Sequence, residues 1–149
     1  VGRGKFVIRN KSDFDTEEVK KLVRFACQEL DMSEVLCEVK NTSHPYAGRA
    51  YNCVPHHMKP WPAGSFYAMK LRVGTKVATW PHWYHGYEED RKNPEWPLWE
   101  LRSWQETLVM LAAHEAYHIS LYKNGTRPRH RELACEKFAS YMLDLYRQA

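Results

Sequence analysis

The chain has 149 residues, 44% of them apolar and 27% charged, with a net charge of +4 when histidines are neutral. That length fits one domain able to bury about two thirds of its unfolded surface without cross-links, and the composition argues against a disordered chain. Cations and anions are interspersed, with Arg127, Arg129 and Arg131 the nearest approach to a basic cluster, so nucleic acid is an unlikely partner.

Cys27, Cys37, Cys53 and Cys135 include no Cys-x-x-Cys pair, which reads as reduced, buried thiols; two disulfides in a secreted protein are the alternative. No apolar run approaches the roughly 20 residues that span a bilayer. No signal peptide is visible either, so the expectation is a cytoplasmic protein with no membrane partner.

Taken in order, residues 5–9 read as a short strand. Asp15-Thr-Glu-Glu18 is a capping-box pattern. It precedes apolar residues at Val19, Leu22, Val23, Ala26, Cys27 and Leu30, one face of a helix. Residues 35–40 and 48–54 read as strands separated by a Thr-Ser-His-Pro turn. A Pro/Gly-rich turn at 60–64 precedes an alternating strand over 65–73, which Gly74 can turn into a partner at 76–80. Residues 81–99, with Pro81, Pro94 and Pro97, read as a long aromatic loop and a candidate substrate-side lid. Ser103-Trp-Gln-Glu106 caps a second helix that ends near Gly125, and a third runs over 129–147. The fold class is α+β.

The second helix carries His114-Glu115-Ala116-Tyr117-His118. Histidines at i and i+4 share a helical face, so both imidazoles can reach one ion at the ~2.0–2.1 Å that Zn2+ prefers. Glu115 projects about 100° away round the helix, where it can take a proton from a metal-bound water without ligating the ion. Two histidines leave zinc short of its usual three protein donors. The Gly and His that would extend the motif are absent, since those positions hold Leu121 and Asn124. His130, Glu132 and Glu136 remain as nearby candidates.

His-Glu-x-x-His followed on the next helix by Glu132-x-x-x-Glu136-Lys-Phe-Ala139 resembles the gluzincin clan of zinc metallopeptidases, over roughly residues 104–145. The resemblance implies His114, His118 and Glu132 as zinc ligands, Glu115 as general base, and Glu136 as the acid that holds a ligand imidazole. Glu136 stands where the clan usually has Asp or Asn. The resemblance also implies a zincin-like fold, a small sheet packed on the catalytic helix with an edge strand that pairs with a peptide or protein substrate; 76–80 and 48–54 are candidates for that edge.

Two alternatives stand beside this zinc peptidase reading. One is a non-catalytic zinc-binding regulatory or interaction domain. The other is a DNA-associated protease similar to the SprT-like group, in which His130 would be the third ligand. Tyr117, Tyr122, His130 and Tyr141 are open candidates for stabilising an oxyanion. His56, His57, His82 and His85 read as surface histidines.

Overall fold

The computed structural model describes residues 4–75, 82–84, 99–125 and 132–149. In chain order these form β1 (Val7–Asn10), α1 (Thr16–Ala26), β2 (Val35–Thr42), β3 (Tyr46–Tyr51), a 3-10 turn (His56–Met58), β4 (Tyr67–Gly74), β5 (His82–Tyr84), β6 (Trp99–Leu101), α2 (Trp104–Lys123) and α3 (Glu132–Gln148). The class is mixed α and β, as read from the sequence.

Both helix starts follow their capping residues. An Asp15 carboxylate oxygen accepts from the Glu18 amide at 2.9 Å, and Ser103 Oγ accepts from the Glu106 amide at 3.2 Å. The acidic partners serve other contacts. Glu18 accepts from Gln105 Nε2 on α2 at 3.3 Å, tying the two helices together. Glu106 accepts from the Arg102 amide at 2.9 Å and from Arg147 Nε and Nη2, each at 2.9 Å, so it pins the start of α2 to the end of α3. Burial pushes the Glu106 carboxyl up, but Arg147 and the Arg102 amide outweigh it and hold the group below the usual carboxylate range. At its far end α2 gives way to Gly125 with φ +72°, a backbone that favours glycine.

The four-stranded sheet has the order β1-β2-β4-β3. β1, β2 and β4 are parallel, and β3 runs antiparallel along β4 at the edge. The 42–46 turn therefore carries the chain from β2 past the end of β4 to the far edge, and β2 and β3 never pair. The crossing is tight at Gly74, whose amide donates to Pro45 O at 2.9 Å. A Cβ there would meet His44 O at 2.6 Å and Pro45 O at 2.9 Å, so the position tolerates only glycine without a backbone shift.

Alternation along the strands sends Cys37, Val39, Met69, Leu71 and Val73 into the main core with α1, α2 and α3. α2 is shielded by sheet and helices over most of its surface, its buried residues running from Glu106 to Ile119. On the opposite face of the sheet, Leu36 and Ala68 pack under Val54 and Met58 of the 52–66 segment in a smaller cluster.

Several expectations shift. The strand expected over 48–54 is Tyr46–Tyr51, because residues 52–54 bend away to cover Leu36 and Ala68. β4 takes β3 as its antiparallel partner, and the expected partner strand at 76–80 lies outside the described residues. The ends of the 81–99 stretch are a paired ladder, His82↔Leu101 through Tyr84↔Trp99, while 85–98 lies outside the described residues. Cys27, Cys37 and Cys135 are free and buried, but Cys53 is exposed. Among the described residues no helix is long and apolar enough to cross a membrane.

Candidate metal centre

His114 and His118 sit one turn apart on α2, with ring centroids 5.0 Å apart, and both face the first turn of α3. There Glu132 spans them. Its Oε2 lies 3.0 Å from His114 Nε2 and its Oε1 lies 2.8 Å from His118 Nε2. One turn further along α3, Glu136 approaches from the other side, with Oε1 3.0 Å from His114 Nδ1. His114, His118 and Glu136 are 7%, 6% and 0% exposed, so these charges meet in a nearly dry space.

The electrostatics follow from that crowding. Burial works against a charged His114 imidazole, but Glu132 and Glu136 outweigh it and raise its pKa to about 10. The same two imidazoles hold the Glu132 carboxyl far below the usual carboxylate range. Among the described residues, both buried Glu136 oxygens lack an aligned hydrogen bond, and so does buried His118 Nδ1. Such groups are costly to leave unsatisfied. A cation among the carboxylates and imidazoles would offset that cost.

The geometry supports this. His114, Glu132 and Glu136 present ligand atoms within 4.8 Å of one another, and so do His114, His118 and Cys135. These residues therefore lie within range to hold a metal ion. Cys135 was not singled out in the sequence, though Glu132, Cys135 and Glu136 at i, i+3 and i+4 share one helical face. Its burial beside Glu132, Glu115 and Glu136 pushes the thiol pKa well above its ordinary value.

Beside the cluster a cleft of about 310 Å³ opens between α2 and the sheet edge, lined by β3 from Tyr46 to Ala50 and by His114, Glu115, His118, Tyr122, Glu132 and Glu136. Glu115 is 6% exposed and borders this cleft without entering the carboxylate–imidazole cluster. Burial raises its pKa, opposed by the two histidines. Its carboxylate rests against the backbone of Gly48, where a Cβ would come within 2.6 Å of Oε2. A glycine inside an alternating strand marks such a close approach.

No known protein family and no curated protein matches this chain in sequence. The site is therefore read on its own chemistry.

Of the residues considered for oxyanion stabilisation, Tyr122 lines the cleft. Tyr117 packs on Phe138 at 5.0 Å between ring centroids, and Tyr141 is exposed and donates to Glu29 at 2.8 Å. His130 lies outside the described residues, as do Arg127, Arg129 and Arg131. Tyr46 also lines the cleft and had no motif to announce it. Burial and the Glu136 charge push its phenol up, while burial and Glu115 raise Tyr122, so both are neutral donors at neutral pH. His56 and His57 sit in the 3-10 turn, the latter edge-on to Tyr51, and neither lines the cleft.

Proposed function

We propose that the protein is a zinc-dependent peptidase of the gluzincin kind, with His114, His118 and Glu132 as ligands and Glu115 as general base. The observation that carries this reading is the spanning of both α2 imidazoles by Glu132 while Glu115 stands apart at the cleft wall. A nitrogen and carboxylate donor set suits zinc better than calcium or magnesium, which prefer oxygen ligands. When bound, zinc supplies a Lewis acid that polarises a substrate carbonyl and lowers the pKa of water to about 7.

The chain's own residues divide the remaining work. Glu115 accepts the proton of the attacking water and returns it to the departing amine. Its nearly dry setting raises its basicity for that task. Glu136, with Oε1 3.0 Å from His114 Nδ1, is our candidate for orienting that ring and so leaving Nε2 to the metal. Tyr122, a cleft-lining phenol, is our candidate donor to the developing oxyanion. β3 pairs only with β4 among the described strands, so its outer edge offers amides and carbonyls to an extended peptide laid along the cleft. Backbone pairing of this kind recognises peptides with little sequence selectivity.

One observation favours a second reading. Cys135 lies within ligand distance of both histidines. A His-His-Glu-Cys set would close the coordination sphere, as in structural zinc sites, and leave no position for water. Hydrolysis of a quenched-fluorescent peptide library by the zinc-loaded protein and by Glu115→Gln separates the two. Turnover that falls about 10²–10⁴-fold in Glu115→Gln, with zinc retained, supports the peptidase. Zinc-loaded wild type without turnover leaves the closed, non-catalytic site.

A further inference from the structure

The sheet face turned away from the helices is built differently from the rest of the molecule. Cross-strand register sets its side chains in rows. Arg9, Glu38, Lys70 and Arg49 are successive neighbours across β1, β2, β4 and β3, and Lys40 and Arg72 stand beside each other in the next row. Lys11, just past β1, reaches into the same group, its Nζ 3.2 Å from Glu38 Oε2. These are six cations around one carboxylate, on a chain whose net charge is only +4. Among the described residues no other sheet face gathers cations in this way, since the opposite face carries the apolar core.

The arrangement has a local electrostatic cost. Glu38, 2% exposed, already serves Lys11 and Lys40 at 3.2 and 3.8 Å. Lys70 is only 8% exposed, and burial, with Lys40 and Arg72 next to it, lowers its pKa. Arg9 is spoken for by Met58 O at 3.0 Å and by Pro60 O. What remains available is a cleft of about 210 Å³ lined by Arg49, Tyr51, Lys70 and Arg72, with Lys40, its side chain 40% exposed and only loosely paired to Glu38, beside it. Arg49 lies over the Tyr51 ring at 5.4 Å, and the 52–66 segment on this face carries Trp61, 40% exposed. Strand geometry spaces Lys70 and Arg72 by roughly 6.7 Å and neighbouring strands by about 4.8 Å, so the cations form a two-dimensional lattice that can follow a line of phosphates.

From these features we infer that the outer sheet face binds single-stranded nucleic acid, with Arg49, Lys70, Arg72 and Lys40 tracking the phosphates and the exposed Trp61 offering its ring to a base. Cationic grooves with interleaved aromatics hold single strands in this way, largely without regard to sequence. A linear reading hides the feature, because residues two apart on three separate strands converge only after the sheet forms. The inference does not rest on the proposed metal ligands, which lie on the helix side of the sheet; Arg49, at the sheet edge, borders the clefts on both sides.

The test is fluorescence anisotropy of a labelled oligothymidylate of ~15 nucleotides. Four phosphate contacts predict a log–log salt slope near −3, about 50-fold weakening between 50 and 200 mM salt. Replacing the exposed pair as Arg49→Gln/Arg72→Gln should weaken binding at least tenfold and halve the slope. Lys21→Gln/Arg24→Gln removes the same charge from α1 and should change affinity less than threefold. Thermal melts confirm that both variants are folded. Absence of saturable binding at 50 mM salt overturns the inference, and so does an equal loss in the two variants. Displacement of the oligonucleotide by poly-glutamate at equal charge overturns it in favour of an acidic polypeptide.

Discussion

Replacing Gly48 by alanine tests how Glu115, the proposed general base, is held. The added Cβ would lie 2.6 Å from Glu115 Oε2, 2.6 Å from Leu111 Cδ1 and 3.1 Å from Glu115 Cγ. Ordinary contact begins near 3.4 Å, so Glu115 or the strand must retreat by most of an ångström. The carboxylate is the free end of a flexible side chain and yields more readily than β3, which is hydrogen-bonded along its length to β4. Stability should therefore fall only by the ~1–3 kcal/mol typical of mild overpacking. A displacement of about 1 Å at a reacting group costs on the order of 10²-fold in rate. The proposed zinc ligands are not among the nearest atoms that the new Cβ meets, so metal content should stay at the wild-type level. Steady-state kinetics on a peptide substrate, paired with zinc analysis and a thermal melt, gives all three readouts. A Gly48→Ala protein with kcat within threefold of wild type would refute the placement of Glu115 against this strand as a requirement for catalysis.

Three further outcomes follow from the same geometry. Glu136→Ala should weaken zinc about 10–100-fold in chelator competition, since His114 loses the partner on its Nδ1; unchanged affinity would reduce Glu136 to a buried bystander. The metal-free protein should lose stability as pH rises from 6.5 towards 10. His114 has its folded pKa raised to about 10, so its contribution is complete below 6.5 and lost above 10, whereas the depressed Glu132 contributes above 4.5 and fails only in strong acid. Zinc must displace that His114 proton, so the rise in melting temperature on adding zinc should grow over the same interval, and a flat pH response would contradict the pairing. Cys135→Ser should keep one zinc per chain while Glu132→Ala loses it; the reverse result would make the thiol the third ligand.

What the sequence shows, and what it hides, divides along the range of the interactions. The starts of α1 and α2 are legible because Asp15 and Ser103 act on amides three residues away. The facing of His114 and His118 is legible because one helical turn dictates it. The meeting of Glu132 with both imidazoles needs two helices to pack, so the residues alone leave Glu132 beside His130 and Glu136, and the resemblance chooses among them. Strand order is less accessible still. β2 and β3 are joined by a short turn, yet β4 inserts between them, and Gly74 under that turn looks like any hairpin glycine until the crossing is seen. Tyr46 and Gly48 carry no such local signal, since each owes its place at the site to a neighbour distant in sequence. The cations of the outer sheet face appear dispersed along the chain and are gathered only by register.

The central claim is that α2 and α3 together hold one zinc ion through His114, His118 and Glu132. Native mass spectrometry of the purified chain, after dialysis against micromolar zinc, measures this directly. One zinc per wild-type chain, lost in His118→Ala and in Glu132→Ala while both variants remain folded, is the predicted result. Zinc-free wild type, or stoichiometric zinc that survives His118→Ala, would contradict it.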